Sequence, residues 1–105
     1  MDPRTVHAER QDVQVLDVRE DDEWNAGHIE GAVHIPLAEL EGRVDELDRS
    51  RPVVTVCRSG GRAAQAAEAL SRAGLSAAVM DGGVTKWAED QLPLTTPDGR
   101  PGHVA

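Results

Sequence analysis

The chain predicts a three-layer α/β domain on a mostly parallel sheet. Two observations carry this. Short apolar runs rich in β-branched residues alternate with segments of helical spacing along the whole chain. The sharpest such junction is Val53–Ala64, which reads VVTVCRSGGRAA: an apolar run, a glycine-containing turn, then an alanine-rich helical pattern. The length of 105 residues fits one compact domain with a single core.

Composition narrows the function classes. The net charge of −8 argues against non-specific nucleic-acid binding, although a local site can still be positive. With two Trp and no Phe or Tyr, the core must be built from Val, Leu, Ile and Ala. One cysteine allows no internal disulfide and no paired metal ligands, and a reducing compartment suits a working thiol. The polar N-terminus resembles neither a signal peptide nor a membrane span, and no long apolar run follows. The expectation is a cytoplasmic monomer with no cofactor, metal, membrane or nucleic-acid partner.

The elements follow in order. Thr5–His7 reads as a short edge strand. Val13–Val18 reads as a buried strand with Asp17 and Arg19 at its C-terminal end, where open α/β sheets place their sites. Asp17 there either helps fix a loop arginine or serves as a local turn carboxylate. Asp21 and Asp22 are N-caps for a short helix through Ala26, with Gly27 as its C-terminal stop. Trp24 is expected at the core edge and His28 in a structural role. Ala32–Ile35 is a short strand. Pro36 opens a helix with a Leu37, Leu40, Val44, Leu47 stripe, which Gly42 weakens and can split. Its acidic face of Glu39, Glu41, Asp45 and Glu46 reads as solvated. Val53–Val56 suits a strand buried on both faces. Ala63–Ala73 is a helix burying Ala63, Ala66, Ala67 and Leu70, and Gly74 ends it. Ala77–Met80 is the next strand. Asp81-Gly82-Gly83 turns beside the Cys57 loop, and Val84–Asp90 is a last helix carrying Trp87. From Pro93 the chain becomes rich in Pro, Gly and Thr. One domain is expected over residues 1–94, with a flexible tail over 95–105.

The Cys57 loop carries the chemistry. Gly60 and Gly61 let the turn fold inward so that its N–H groups form a nest, which favours an anion. The following helix adds its positive end, and Arg58 and Arg62 add two cations. A thiol so placed is expected to ionise more readily than free cysteine, whose pKa is about 8.5. A buried packing cysteine requires none of these neighbours.

The loop Cys57-Arg58-Ser59-Gly60-Gly61-Arg62 resembles the active-site loop of rhodanese-like sulfurtransferases. Leu16-Asp17-Val18-Arg19, Glu23-Trp24, Gly27-His28-Ile29, Gly31-Ala32 and Ile35-Pro36 resemble the family's first signature, and Asp81-Gly82-Gly83 with Trp87 its last. The matches run in family order from Leu16 to about Pro93. The resemblance implies a rhodanese-like fold with about five strands. It also implies transfer of a sulfane sulfur from a donor such as thiosulfate to a thiophilic acceptor, cyanide or a thiol, through a Cys57 persulfide. Cys57 would be the nucleophile, and Arg58, Ser59, Gly60, Gly61 and Arg62 would bind substrate. Arg58 would face the donor's sulfonate and Arg62 would brace the loop, although position alone allows the reverse.

Two other classes compete. A persulfide carrier delivering sulfur to a partner protein, or a recognition module, would use the same fold. A cysteine phosphatase closes its loop as Cys-x5-Arg; here four residues separate Cys57 from Arg62, a smaller ring better matched to sulfur than to phosphate.

Overall fold

The computed structural model describes residues 1–105. Four parallel strands form one sheet: β1 (Gln14–Asp17), β2 (Val33–His34), β3 (Val53–Val56) and β4 (Ala77–Val79), in the order β2-β1-β3-β4. The sequence implied about five. The shortfall lies at the start, where Thr5–His7 is helical rather than an edge strand, within α1 (Pro3–Ala8). Asp2 caps that helix by accepting the Thr5 N–H at 2.9 Å, and Pro3 supplies a preset φ in its first turn. These local preferences, with the burial of Val6, outweigh the β-branched character of Thr5 and Val6.

The central strands β1 and β3 are buried on both faces and mostly apolar, whereas the edge strands β2 and β4 are only partly buried. Leu16, Val53, Ile35 and Val18 pack on one side with Leu40, Ala63, Ala66 and Leu70. Val15, Val54 and Val56 pack on the other with Val6, Val84, Trp87 and Leu94. The first helical layer holds α3 (Leu40–Arg43) and α4 (Gly61–Arg72); the second holds α1 and α5 (Gly83–Glu89). The Leu37–Leu47 helix is broken, as Gly42 suggested: α3 is one turn, flanked by 3₁₀ turns at Leu37–Glu39 and Val44–Glu46. The buried indole of Trp87 donates its N–H to the Pro93 carbonyl at 2.8 Å. Thr55, buried in β3, satisfies its hydroxyl on the Ala63 carbonyl at 2.8 Å and so ties strand to helix.

Residues 95–105, assigned from sequence to a flexible tail, lie along the domain. Thr95 exchanges backbone hydrogen bonds with His28 at 2.8 and 2.9 Å, and His103 N–H reaches the Ala26 carbonyl at 3.0 Å. No helix is long and apolar enough to cross a membrane.

Candidate active site

The chain runs from β1 outward to β2, then crosses to β3 on β1's other side. The direction of winding therefore reverses between β1 and β3, the position where open α/β sheets build their crevices. Cys57 leaves the C-terminal end of β3 at that reversal, and α4 begins four residues later at Gly61.

The Cys57 thiol is recessed, with the residue 1% exposed and packed against the first core layer. The Gly60 N–H points at its Sγ over 2.9 Å. Gly60 makes this possible by adopting φ +133°, a region that side-chain-bearing residues rarely enter. The N–H groups of Arg58, Ser59, Gly61 and Arg62 donate to no acceptor within the protein, so of these five loop amides only that of Gly60 is paired, on the sulfur.

The loop carbonyls are held from the other side. Val84 and Thr85, in the first turn of α5, donate to the Cys57 and Arg58 carbonyls at 2.9 and 3.1 Å. The Asp81-Gly82-Gly83 turn thus lies against the Cys57 loop, as expected. Gly83, at φ +60°, touches both carbonyls so closely that a Cβ there would fall within 3.0 Å of each.

The two loop arginines divide. Arg58 and Ser59 are exposed; Arg58 makes one hydrogen bond, from Nε to the Ala105 carbonyl at 3.1 Å. Arg62 is half-buried, and its Nη1 and Nη2 grip both carboxylate oxygens of Glu23 at 2.7 and 2.9 Å. That hydrogen-bonded pair holds the Glu23 carboxyl down at about 2. The Arg62 guanidinium is raised first by Glu23 and, more weakly, by Cys57. Glu23 belongs to α2 (Asp21–Ala26), where it also accepts the Glu20 N–H at 3.0 Å. Glu20, not Asp21 or Asp22, is the N-cap residue, because the helix starts one residue earlier than its acidic pair suggests. Sequence reasoning missed Glu23 as part of the site. The only local signal is its place three residues after Glu20, which says nothing of a partner 39 residues away.

Asp17 holds neither loop arginine. Its carboxylate takes the Nε and Nη2 of Arg19, the latter at 2.7 Å, together with the Arg19 N–H at 3.0 Å. Arg19 also donates to the Gly27 carbonyl at 2.8 Å, so this wholly buried pair ties the end of β1 to the end of α2. Trp24 stacks between two imidazoles, His28 at 3.6 Å and His34 at 4.6 Å between ring centroids. The His28 Nδ1 lies 3.0 Å from the Trp24 carbonyl and the His34 Nε2 2.8 Å from that of Arg19. Both rings are committed to local structure around α2.

A family model described as the rhodanese-like domain matches residues 4–90. The chain belongs to that family. A sulfurtransferase of Allochromatium vinosum is 34% identical over 93 residues, covering 88% of this chain and 87% of the relative. YrkF of Bacillus subtilis, provisionally named a sulfur carrier protein, is 42% identical over 62 residues; the match spans 59% of this chain but only 34% of that longer protein. The crystal structure of a rhodanese-related protein from Thermoplasma volcanium superposes with a TM-score of 0.87 at 32% identity, over 90% of this chain and 95% of that one. The rhodanese-like fold expected from the sequence is the observed one, with four strands. The relatives' names speak of sulfur transfer in general and specify neither donor nor acceptor.

Proposed function

We propose that this domain is a sulfurtransferase working through a Cys57 persulfide, with thiosulfate as a competent donor and cyanide or a thiol as acceptor. The observation that carries the reading is the loop itself: the Gly60 amide on Sγ, four neighbouring loop amides without an acceptor in the protein, and an exposed cation, Arg58, bonded only to the Ala105 carbonyl. The Cys57 thiolate attacks the outer sulfur of thiosulfate. The sulfur–sulfur bond of the donor breaks, and sulfite leaves with its electron pair. The persulfide's terminal sulfur, now anionic, is held by the free loop amides, which are preorganised for negative charge. Cyanide then attacks that terminal sulfur, forming thiocyanate and returning the thiolate. One difficult transfer is divided into two easier ones. Arg58 orients the sulfonate end of the donor, and Arg62, held by Glu23, braces the loop.

The name of YrkF supports a variant of the same chemistry, with a partner protein as the acceptor. The reading further assigns the domain to a reducing, cytoplasmic setting, where a free thiol persists, and treats it as a monomer.

Intact-mass measurement after incubation with thiosulfate tests the proposal. The expected result is a gain of one sulfur atom, reversed by cyanide and absent in a folded Cys57→Ser variant. No gain in the wild type, or near-normal turnover in Cys57→Ser, would refute it.

A further inference from the structure

The Cys57 loop carries two arginines, yet only one offers unbalanced charge. Both Nη groups of Arg62 are taken by the Glu23 carboxylate at 2.7 and 2.9 Å. The pair is shielded, with the Glu23 side chain 16% and the Arg62 side chain 32% exposed, so solvent screens it incompletely. Arg58 bonds only to the Ala105 carbonyl and meets no Asp or Glu side chain. An anion entering the loop therefore meets one guanidinium that no acidic side chain balances, together with a set of amides, not a pair of such cations. We infer that Glu23 is a specificity-determining residue, which restrains the loop's attraction for doubly charged donors such as thiosulfate relative to singly charged or neutral sulfur donors such as organic persulfides. The inference rests on Cys57 as the nucleophile of the proposed reaction.

The physical reason is simple. Attraction between a site and a ligand scales with the product of their charges, so an added site charge favours a dianion over a monoanion, and a monoanion over a neutral reagent. Glu23→Gln removes the negative charge while keeping a carbonyl oxygen that can still accept from Arg62. Its main consequence is then electrostatic, exposing the Arg62 charge to the loop.

Alkylation of Cys57 by iodoacetate and iodoacetamide tests this, because the reagents differ by one charge and are similar in size. Glu23→Gln is expected to raise the iodoacetate-to-iodoacetamide rate ratio roughly threefold, and kcat/KM for thiosulfate roughly three- to tenfold, with a smaller change for an organic persulfide. Glu23→Asp, which keeps the charge, is expected to retain the wild-type ratio. Equal changes with both reagents and both donors would reduce Glu23 to a brace and overturn the inference. A second variant guards against misfolding of the first: Arg58→Gln alters an exposed side chain and should lower the iodoacetate-to-iodoacetamide rate ratio below the wild type's. A ratio unchanged from the wild type's would mean that Arg58 is not the cation the loop presents, again overturning the inference. If the wild type accepts no sulfur from either donor, the proposed reaction fails while the alkylation ratios still decide the charge balance.

Discussion

Gly83→Ala is the substitution that most directly probes how the loop is supported. The added methyl would fall within 3.0 Å of the Cys57 and Arg58 carbonyl oxygens, and both belong to backbone that cannot rotate away. The backbone at this position, φ +60°, also disfavours alanine by about 1–2 kcal/mol. Relief of the clash requires the first turn of α5 to retreat from the loop, which stretches the bonds from Val84 and Thr85, now 2.9 and 3.1 Å. Each is worth about 1 kcal/mol net, so the combined loss is about 3–4 kcal/mol. For a domain of this size that corresponds to a fall in Tm of roughly 12–30 °C. Urea denaturation and a thermal melt measure it. Gly61→Ala is the contrast: a Cβ there meets nothing within 4 Å, and the position is helical, so stability is expected to hold or rise by up to about 1 kcal/mol. Gly83→Ala with wild-type stability would refute the claim that α5 clamps the loop carbonyls.

Arg58→Ala is expected to raise KM for thiosulfate roughly tenfold in a steady-state assay. Its Tm should move by less than about 2 °C, since the side chain is exposed and makes one hydrogen bond. Acid should weaken the fold through Glu23. Its carboxyl lies at about 2 in the folded protein against 4.5 ordinarily, so the stabilisation is fully present above about 4.5 and is lost as pH falls toward 2. After allowance for partial exposure this contribution is about 2 kcal/mol, and Glu23→Gln should remove that part of the pH dependence when urea unfolding is compared at about pH 6 and about pH 3. Asp17→Asn leaves the buried Arg19 guanidinium without its counter-charge and should cost about 3–5 kcal/mol by urea denaturation. A loss under about 1 kcal/mol would show that water reaches the pair.

Much of this architecture was legible because strands buried on both faces are written as largely apolar, β-branched runs. Val53–Val56 has the observed boundaries, and the runs at Val13–Val18 and Ala77–Met80 differ from β1 and β4 by a residue or so at their ends. The first element was misread because Thr5 and Val6 favour strands in isolation, whereas Asp2 and Pro3 together start a helix. Asp17 and Arg19 were placed at the strand end, with Asp17 read either as a brace for a loop arginine or as a local turn carboxylate. Charged residues are seldom wholly buried, however, and nothing in their spacing distinguished a pair with each other from a pair with the loop. Glu23 with Arg62 was invisible for a different reason. Its two halves come together only after the sheet has assembled α2 beside α4, and local pattern carries no record of that closure.

The depth of the Cys57 sulfur has one more consequence. With Cys57 1% exposed, little of its sulfur is open to solvent, so bulky reagents meet the loop before they meet the atom. A sulfur added to it would stand one bond further from the backbone. Loading would then extend the protein's reach, and the reactive atom presented to a second molecule would be one that the gene does not encode.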